Sequence, residues 1–213
     1  MNALAHIRKE YRMNRLSRDN AEENAMQQFE QWWNDAVKSE IEEVNAMTLA
    51  TASSDGLPSA RIVLLKGISP AGFQFFTNYD SFKGKQLMEN PRACLVFFWK
   101  ELQRQVRITG LVEKLSREKS DDYFNSRPEG SRIGALASPQ SEVIESSEWL
   151  HQRAKKLSAK YAGHSIPRPA HWGGYLVRPV TIEFWQGRPD RLHDRLLYSL
   201  QENGEWSIEI LAP

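Results

Sequence analysis

The spacing of hydrophobic residues changes along the chain and separates helical from extended regions. Within residues 19–40, large apolar side chains recur every three or four positions, which predicts an amphipathic helix that Asp19 or Asn20 can cap. The predicted buried face of this helix consists of Met26, Phe29, Trp33 and Val37. From residue 46 onwards, short apolar runs alternate with turn residues, which is typical of antiparallel strands joined by close turns.

The predicted strands form two groups with helices between them. The first group covers residues 47–51, 60–66, 73–77, 92–99 and 103–114, with a short helix over residues 83–89. Helices follow over residues 117–126 and along a face made of Leu150, Ala154, Leu157 and Tyr161. The second group of strands covers residues 174–178, 181–186, 191–200 and 206–211.

Neither group of strands is large enough to close a barrel alone. We therefore predict one mainly β, antiparallel barrel with flanking helices, forming a single domain over residues 19–213. Residues 1–18 are polar and basic without a periodic apolar face, which predicts a mobile N-terminal arm.

Composition excludes several classes of protein. The 28 basic and 27 acidic residues give a formal net charge of +1, which argues against a nucleic-acid binder that depends on bulk charge. The single cysteine, Cys94, excludes an internal disulfide framework and a cysteine-rich zinc site, and we expect it to be buried in its apolar run. The five histidines are too scattered to predict a metal site, and no apolar run is long enough to span a membrane, so a cytoplasmic protein is expected.

The C-terminal region holds the most informative polar pattern. If residues 191–200 form a strand, Arg191, His193 and Arg195 share one face, where the two arginines alone repel by roughly 1 kcal/mol. Two interpretations are open at this point: a solvated edge strand, or a face that meets an anion beside the flat ring of Trp185.

Three further sets of polar residues have the chemistry of a ligand site. Tyr123, Arg127 and Ser131 suit a phosphate if they converge, although a chance spacing on a helix surface is the alternative. If Ile62 and Leu64 face the core, Lys66 shares their face and needs an anion there, unless it reaches solvent at the strand end. The uncharged groups able to hydrogen-bond the edge of a heterocycle are Gln105, Gln140 and Ser141. Because no phosphate loop or nucleophile motif is present, an enzyme with these pockets would need an organic cofactor.

The run Glu183-Phe184-Trp185-Gln186 and the following Arg191-Leu192-His193-Asp194-Arg195 resemble the signature of the pyridoxine/pyridoxamine 5′-phosphate oxidase family. The resemblance extends over essentially the whole chain, through residues 61–66, 77–78, 83–84, 140–141 and 211–213 and the Tyr123, Arg127 and Ser131 set. It implies an FMN-binding split β-barrel with Greek-key-like strands, working as a homodimer with FMN between the subunits. The implied reaction is oxidation of pyridoxine or pyridoxamine 5′-phosphate to pyridoxal 5′-phosphate by O2, with hydride transfer to the flavin and release of hydrogen peroxide.

The resemblance also implies a role for individual residues. The FMN contacts of the family fall on Arg61, Ile62, Val63, Leu64, Leu65, Lys66, Phe76, Thr77, Lys83, Gln105, Gln140, Ser141, Trp185 and Arg195. Its substrate contacts fall on Arg8, Lys9, Glu10 and Tyr11 of the arm and on Lys66, Tyr123, Arg127, Ser131, Arg191 and His193. Of these, Arg191 and His193 are the implied catalytic pair.

The chain departs from the family pattern at two positions. Phe82 stands where many members have an arginine before the lysine at position 83, which is expected to weaken FMN binding by roughly 1.5–3 kcal/mol unless Lys85 compensates. Ile210 stands where an arginine often precedes the terminal segment. Two alternative functions are another split-barrel flavin reductase and a non-catalytic pyridoxal-phosphate carrier.

Overall fold

The computed structural model describes residues 15–213, so the predicted arm contacts Arg8, Lys9, Glu10 and Tyr11 lie outside the described residues. The helices are α1 (Ala25–Lys38), α2 (Phe82–Glu89), α3 (Arg117–Ser126), α4 (Glu129–Ala137) and α5 (Ser147–Tyr161). The strands are β1 (Ala46–Ala52), β2 (Pro58–Leu64), β3 (Gly67–Ser69), β4 (Gly72–Asn78), β5 (Arg92–Trp99), β6 (Arg104–Lys114), β7 (Trp172–Gln186), β8 (Asp194–Leu200) and β9 (Trp206–Ile210).

The described strands form one antiparallel sheet that curls into a half-barrel. Its order is β2-β1-β5-β6-β7-β4-β3, and β8 and β9 extend it from β7. The two ends of that order, β2 and β3, are separated along the chain by Leu65 and Lys66 only, so the sheet has to curl round. The backbone N–H of Lys66 donates to the carbonyl of Gln74 over 2.8 Å and holds this corner. The predicted mainly β barrel with flanking helices is confirmed.

Helix α1 closes the inside of the half-barrel. The Phe29 ring meets Phe73 edge-on at a centroid distance of 4.7 Å and lies 5.3 Å from Phe97. Met26 and Phe29 are buried as predicted, but Val37 is 50% exposed and Trp33 is only partly buried. Trp32 and Ala36 are buried where Trp33 and Val37 were expected to be. The N-cap of α1 is Asn24, not Asp19 or Asn20.

A second, smaller core lies under α3, α4 and α5. It is built on Phe124, Ile133, Ile166 and Trp172. The predicted face of α5 contributes Ala154, Leu157 and Tyr161 as partly buried neighbours. Helix α4 was not predicted, because Pro128 and the two glycines that follow in residues 129–137 obscure a helical pattern. In the structure, Pro128 is the N-cap of α4 and therefore begins this helix.

The inner face of β2 is the reverse of the prediction. Val63 pairs with the buried Met47 of β1, which places odd-numbered residues of β2 inward. Ile62 is 65% exposed, so neither it nor Leu64 points to the core, and Lys66 is an exposed residue after the strand. Cys94 was predicted to be buried but is half-buried, because it alternates with the buried Ala93 and Leu95 on β5.

The predicted strands 174–178 and 181–186 are one continuous strand, β7. A β-bulge in β7 leaves Val180 unpaired, because the consecutive residues Thr109 and Gly110 of β6 face Thr181 and Pro179. The bulge accommodates Pro179, which cannot donate a ladder hydrogen bond. A side chain at Gly110 would meet the carbonyl oxygen of Arg178 at 2.0 Å, so this close approach requires glycine. The long strand joins both cores and carries residues of the candidate site at its two ends.

Strand β8 begins at Asp194, three residues later than predicted. Arg191 ends a 3₁₀ turn over Pro189–Arg191, in which Asp190 and Arg191 have φ values of 55° and 61°. The prediction that Arg191, His193 and Arg195 share one face of a strand is therefore wrong. Two consecutive non-glycine residues in the left-handed region are strained, and such strain is commonly found at functional positions.

Candidate active site

A cavity of about 690 Å³ opens between β2, the end of β4, the start of α2 and the turn from α3 to α4. It collects twelve of the predicted site residues: Arg61, Ile62, Val63, Leu64, Lys66, Phe76, Thr77, Lys83, Tyr123, Arg127, Ser131 and Gln140. Three further lining residues were not predicted as site residues: Asn78, Pro128 and Trp172. No spacing signal in the sequence pointed to Trp172, because the fold brings it from a distant strand.

The cavity is cationic. Four of the lining residues are Arg61, Lys66, Lys83 and Arg127, and none of the described lining residues is acidic. Burial lowers the pKa of Lys83, and the nearby charge of Arg61 lowers it further. Burial also lowers the pKa values of Arg61 and Arg127. Cations held in this way without carboxylates are suited to bind an anion.

Arg127 stands above an aromatic wall. Its guanidinium lies 4.6 Å from the centroid of the Trp172 ring, and Phe76 and Tyr123 stack at 3.9 Å beside it. The Nη1 atom of Arg127 is buried and has no hydrogen-bond partner among the described residues. Because an orphaned buried donor costs free energy, this atom indicates a missing acceptor.

Lys83 is placed by the first turn of α2. Ser81 caps this helix, its Oγ accepting from the Gly84 N–H over 3.3 Å, and the Lys83 Nζ lies 3.4 Å from both the Thr77 and the Ser81 hydroxyls. The N-terminus of an α-helix favours a nearby negative charge, so Lys83 and the start of α2 both favour a bound anion. Phe82 is 54% exposed, and neither it nor Lys85 lines the cavity.

Five predicted site residues form a second cluster away from this cavity: Gln105, Trp185, Arg191, His193 and Arg195. Gln105 pairs with Trp185, and Trp185 pairs with Arg195, across β6, β7 and β8. The His193 ring centroid lies 4.5 Å from that of Trp185. Leu65 is buried in the main core, and Ser141 is exposed next to Gln140, so neither lines the cavity.

His193 and Arg195 are fixed by their neighbours. The Nδ1 atom of His193 accepts the backbone N–H of Arg188 over 3.1 Å. Burial lowers the pKa of His193, and the charge of Arg191 lowers it further, while Asp194 acts in the opposite direction. Arg195 contacts the buried carboxylate of Glu183 at 2.9 Å and donates to the carbonyl of Ala212 over 2.6 Å.

The cavity and the second cluster lie at opposite ends of β7. Trp172 is the first residue of this 15-residue strand and Trp185 is the last but one. At about 3.3 Å per residue, such a strand spans roughly 45 Å along its path. A single chain therefore does not bring all the predicted site residues together.

The second cluster lies on the outer face of the sheet. The register places Phe98, Gln105, Trp185 and Arg195 in one row across four strands. Phe98 is 54% exposed, and Ile62 is exposed on the same face of the sheet. Exposed apolar and aromatic side chains on one face of a sheet are typical of a protein interface.

Comparison with known proteins agrees with this arrangement. Residues 33–161 match a family model described as pyridoxamine 5′-phosphate oxidase, and residues 172–213 match the pyridoxine 5′-phosphate oxidase C-terminal dimerisation region. The second match contains β7, β8 and most of the second cluster. The chain is therefore similar to proteins that pair through the part of the fold that carries Trp185, Arg191 and His193.

Curated relatives cover the whole chain. The pyridoxine/pyridoxamine 5′-phosphate oxidase of Salinibacter ruber is 54% identical over 100% of both chains, and that of Nostoc punctiforme is 55% identical over 99% of this chain and 98% of the relative. Among solved structures, PhzG from Burkholderia lata, in complex with tetrahydrophenazine-1-carboxylic acid, is 30% identical with a TM-score of 0.90 and covers 96% of this chain and 100% of that one. The chain belongs to the pyridoxine/pyridoxamine 5′-phosphate oxidase family, and it is an oxidoreductase that forms a homodimer.

Proposed function

We propose that this protein oxidises pyridoxine 5′-phosphate and pyridoxamine 5′-phosphate to pyridoxal 5′-phosphate, with FMN as its cofactor. The observation that carries the proposal is the cavity with four cationic side chains, no acidic lining residue and the orphaned Nη1 of Arg127. Phosphate groups satisfy such donors better than neutral ligands do. The 54% identity to relatives named for this activity supports the same conclusion.

The cavity residues fit two phosphate groups. One position lies at the start of α2 near Lys83 and Arg61, and the other lies near Arg127, Tyr123 and Ser131. We assign the first to FMN and the second to the phosphate of the substrate. When bound, FMN supplies a two-electron acceptor that takes a hydride from the 4′ carbon of the substrate and passes the electrons to O2, giving hydrogen peroxide.

The second cluster is proposed to reach this cavity from the other copy of the chain. A symmetric pair that buries the outer face around Phe98 and Ile62 would present Arg191 and His193 of the partner subunit to the ligands. In this arrangement FMN lies at the subunit interface. Each dimer then holds two sites, each built from both chains.

In this proposal some side chains bind the phosphate of the substrate and others orient its reacting group. Arg127, Tyr123 and Ser131, with Lys66, anchor the phosphate and so fix the pyridine ring, which supplies much of the rate enhancement through proximity. Arg191 of the partner subunit packs on the open face of the substrate. His193 accepts at Nδ1, so in its neutral form it carries the proton at Nε2 and orients the 4′ substituent by donating to it.

An anaerobic experiment tests the proposal. The protein is purified with FMN, oxygen is removed, and pyridoxamine 5′-phosphate is added while the visible absorbance of the flavin is followed. We expect the absorbance to bleach and to return on admission of air, with pyridoxal 5′-phosphate formed. If the flavin is bound but stays yellow, pyridoxamine 5′-phosphate is not a substrate, and the flavin-reductase alternative is favoured. If the protein retains no flavin, the pyridoxal-phosphate carrier is favoured.

A further inference from the structure

Arg61 is held by two hydroxyl groups at the edge of the cavity. Its Nη1 donates to the Thr51 hydroxyl over 2.6 Å and to the carbonyl of Leu49 over 3.2 Å, and its Nη2 donates to the Ser59 hydroxyl over 2.5 Å. Thr51 is 4% exposed, so this attachment lies largely out of water. The guanidinium is therefore fixed at the inner edge of β1 and β2.

Both hydroxyls continue to one atom of Gln86. The Thr51 hydroxyl donates to the Oε1 of Gln86 over 2.6 Å, and the Ser59 hydroxyl donates to the same Oε1 over 2.7 Å. Gln86 is 3% exposed and comes from α2, a different element from either hydroxyl. One amide oxygen thus accepts from both hydroxyls that hold Arg61, while the Leu49 carbonyl holds the guanidinium independently.

The donors and acceptors of this network favour one orientation of the Gln86 amide. A guanidinium has donors only, so each hydroxyl accepts from Arg61 and has a single proton to donate, and the Oε1 of Gln86 lies closer to both hydroxyls than they lie to each other at 3.5 Å. With the amide flipped, only one hydroxyl could donate, and only to the other hydroxyl. The Nε2 of Gln86 accordingly points elsewhere, where it is buried without a hydrogen-bond partner among the described residues.

Gln86 also follows Lys83 by one turn of the same helix. We propose that Gln86, through Thr51 and Ser59, is the positioning residue that aims Arg61 at the phosphate of FMN, so that α2 places both cations of this subsite. The inference rests on FMN being the cofactor. It adds Gln86, Thr51 and Ser59 to the residues that set flavin affinity, although none of the three lines the cavity.

Flavin titration of the full-length protein tests the inference. In Gln86→Met, the Kd for FMN, measured by quenching of flavin fluorescence on addition to the flavin-free protein, is expected to rise about tenfold, because Arg61 loses the hydrogen-bonded support that fixes its contact with a phosphate. At saturating FMN, kcat should change little. Gln28→Met is the matched control, because Gln28 is an equally buried glutamine of α1 away from the cavity.

A double-mutant cycle separates positioning from a general structural effect. Once Arg61→Ala has removed the guanidinium, Gln86→Met should raise the Kd no further. An equal rise in both backgrounds, or an equal rise in the Gln28→Met control, would overturn the inference. If Gln86→Met does not fold, Thr51→Val enters the same cycle, because it removes one of the two hydroxyl links.

The two proposals fail in different ways. Wild-type protein that binds no FMN contradicts the proposed function. Wild-type protein that binds FMN, with Gln86→Met binding it equally well, contradicts only the role of Gln86.

Discussion

Arg127 is a half-buried cation that has no salt bridge to any acidic side chain in residues 15–213. Its Nη1 has no partner among the described residues, and burial lowers the pKa of the side chain. The surrounding aromatic rings hold it in place but do not neutralise it. An arginine in this state binds an incoming phosphate strongly, because little further desolvation is needed.

Replacing Arg127 should mainly affect substrate binding. Loss of a charge-assisted hydrogen bond is worth about 1.5–3 kcal/mol, so Arg127→Ala is expected to raise KM for pyridoxamine 5′-phosphate about 10- to 100-fold. Steady-state kinetics at saturating FMN measures this. Arg117→Ala, an exposed arginine at the start of the same α3 helix, is the control and should leave KM unchanged. An unaltered KM in Arg127→Ala would refute the phosphate anchor.

His193 offers a test through pH. Burial and then the charge of Arg191 lower its pKa from the ordinary value of 6.5, so the ring is neutral at pH 7 and kcat/KM should fall on the acid side only below pH 6.5. Removing the repulsion in Arg191→Leu should shift the pKa of His193 upward. NMR titration of the histidine Cε1 protons measures the shift, and the other histidines give the internal reference. A pKa of His193 that stays in place would show that Arg191 does not act on it.

The elements show where sequence patterns succeed. Residues 92–99 and 117–126 form β5 and α3 as predicted, because a continuous apolar run after Pro91 and a serine cap act locally. The face of β2 was predicted wrongly, since Ile62 and Leu64 look like core residues until the pairing with β1 is known. Likewise, the 3₁₀ turn at Arg191 depends on positive φ values that no hydrophobic pattern encodes.

Gly84 makes the position of α2 testable. A β-carbon at this residue would lie 2.0 Å from the carbonyl oxygen of Tyr79, so Gly84→Ala must displace the first turn of the helix and with it Lys83. We expect a loss of about 1–3 kcal/mol in the free energy of unfolding together with weaker FMN binding. Gly134→Ala in α4 is the matched control, since nothing lies within 4 Å of its added carbon. It should be neutral or stabilising by up to about 1 kcal/mol. Equal melting temperatures for the two variants would contradict this account.

At the scale of the whole molecule, the sequence motifs predict a single site, but the structure divides their residues between the cavity and the second cluster. The motif residues carry no information on distance, so the separation along β7 became visible only in the structure. The resemblance to the family predicts a homodimer, in which the cavity of one chain can meet the second cluster of the other. The row of residues on the outer face of the sheet that contains Phe98 and Trp185 is consistent with this homodimer.

Mixing two inactive variants tests the shared site. Arg127→Ala damages the cavity and Arg191→Leu damages the second cluster, so at substrate concentrations well below KM each homodimer should keep only a small fraction of wild-type activity. After unfolding and refolding together, about a quarter of wild-type activity should return, because half of the dimers are mixed and each has one intact site. Each variant refolded alone is the control. No recovery in the mixture, with mixed dimers verified by differently sized tags, would show that each chain uses its own second cluster.

The four crowded cations of the cavity have a consequence for the lifetime of the protein in a cell. The charge of Arg61 already opposes that of Lys83, so a bound anion stabilises the folded form, and for FMN this stabilisation grows with the logarithm of its free concentration relative to Kd. Flavin-starved cells are then expected to degrade the newly made chain faster, instead of storing it in an inactive form. The vitamin that supplies the flavin would thus control how much of this protein exists as well as how much of it works.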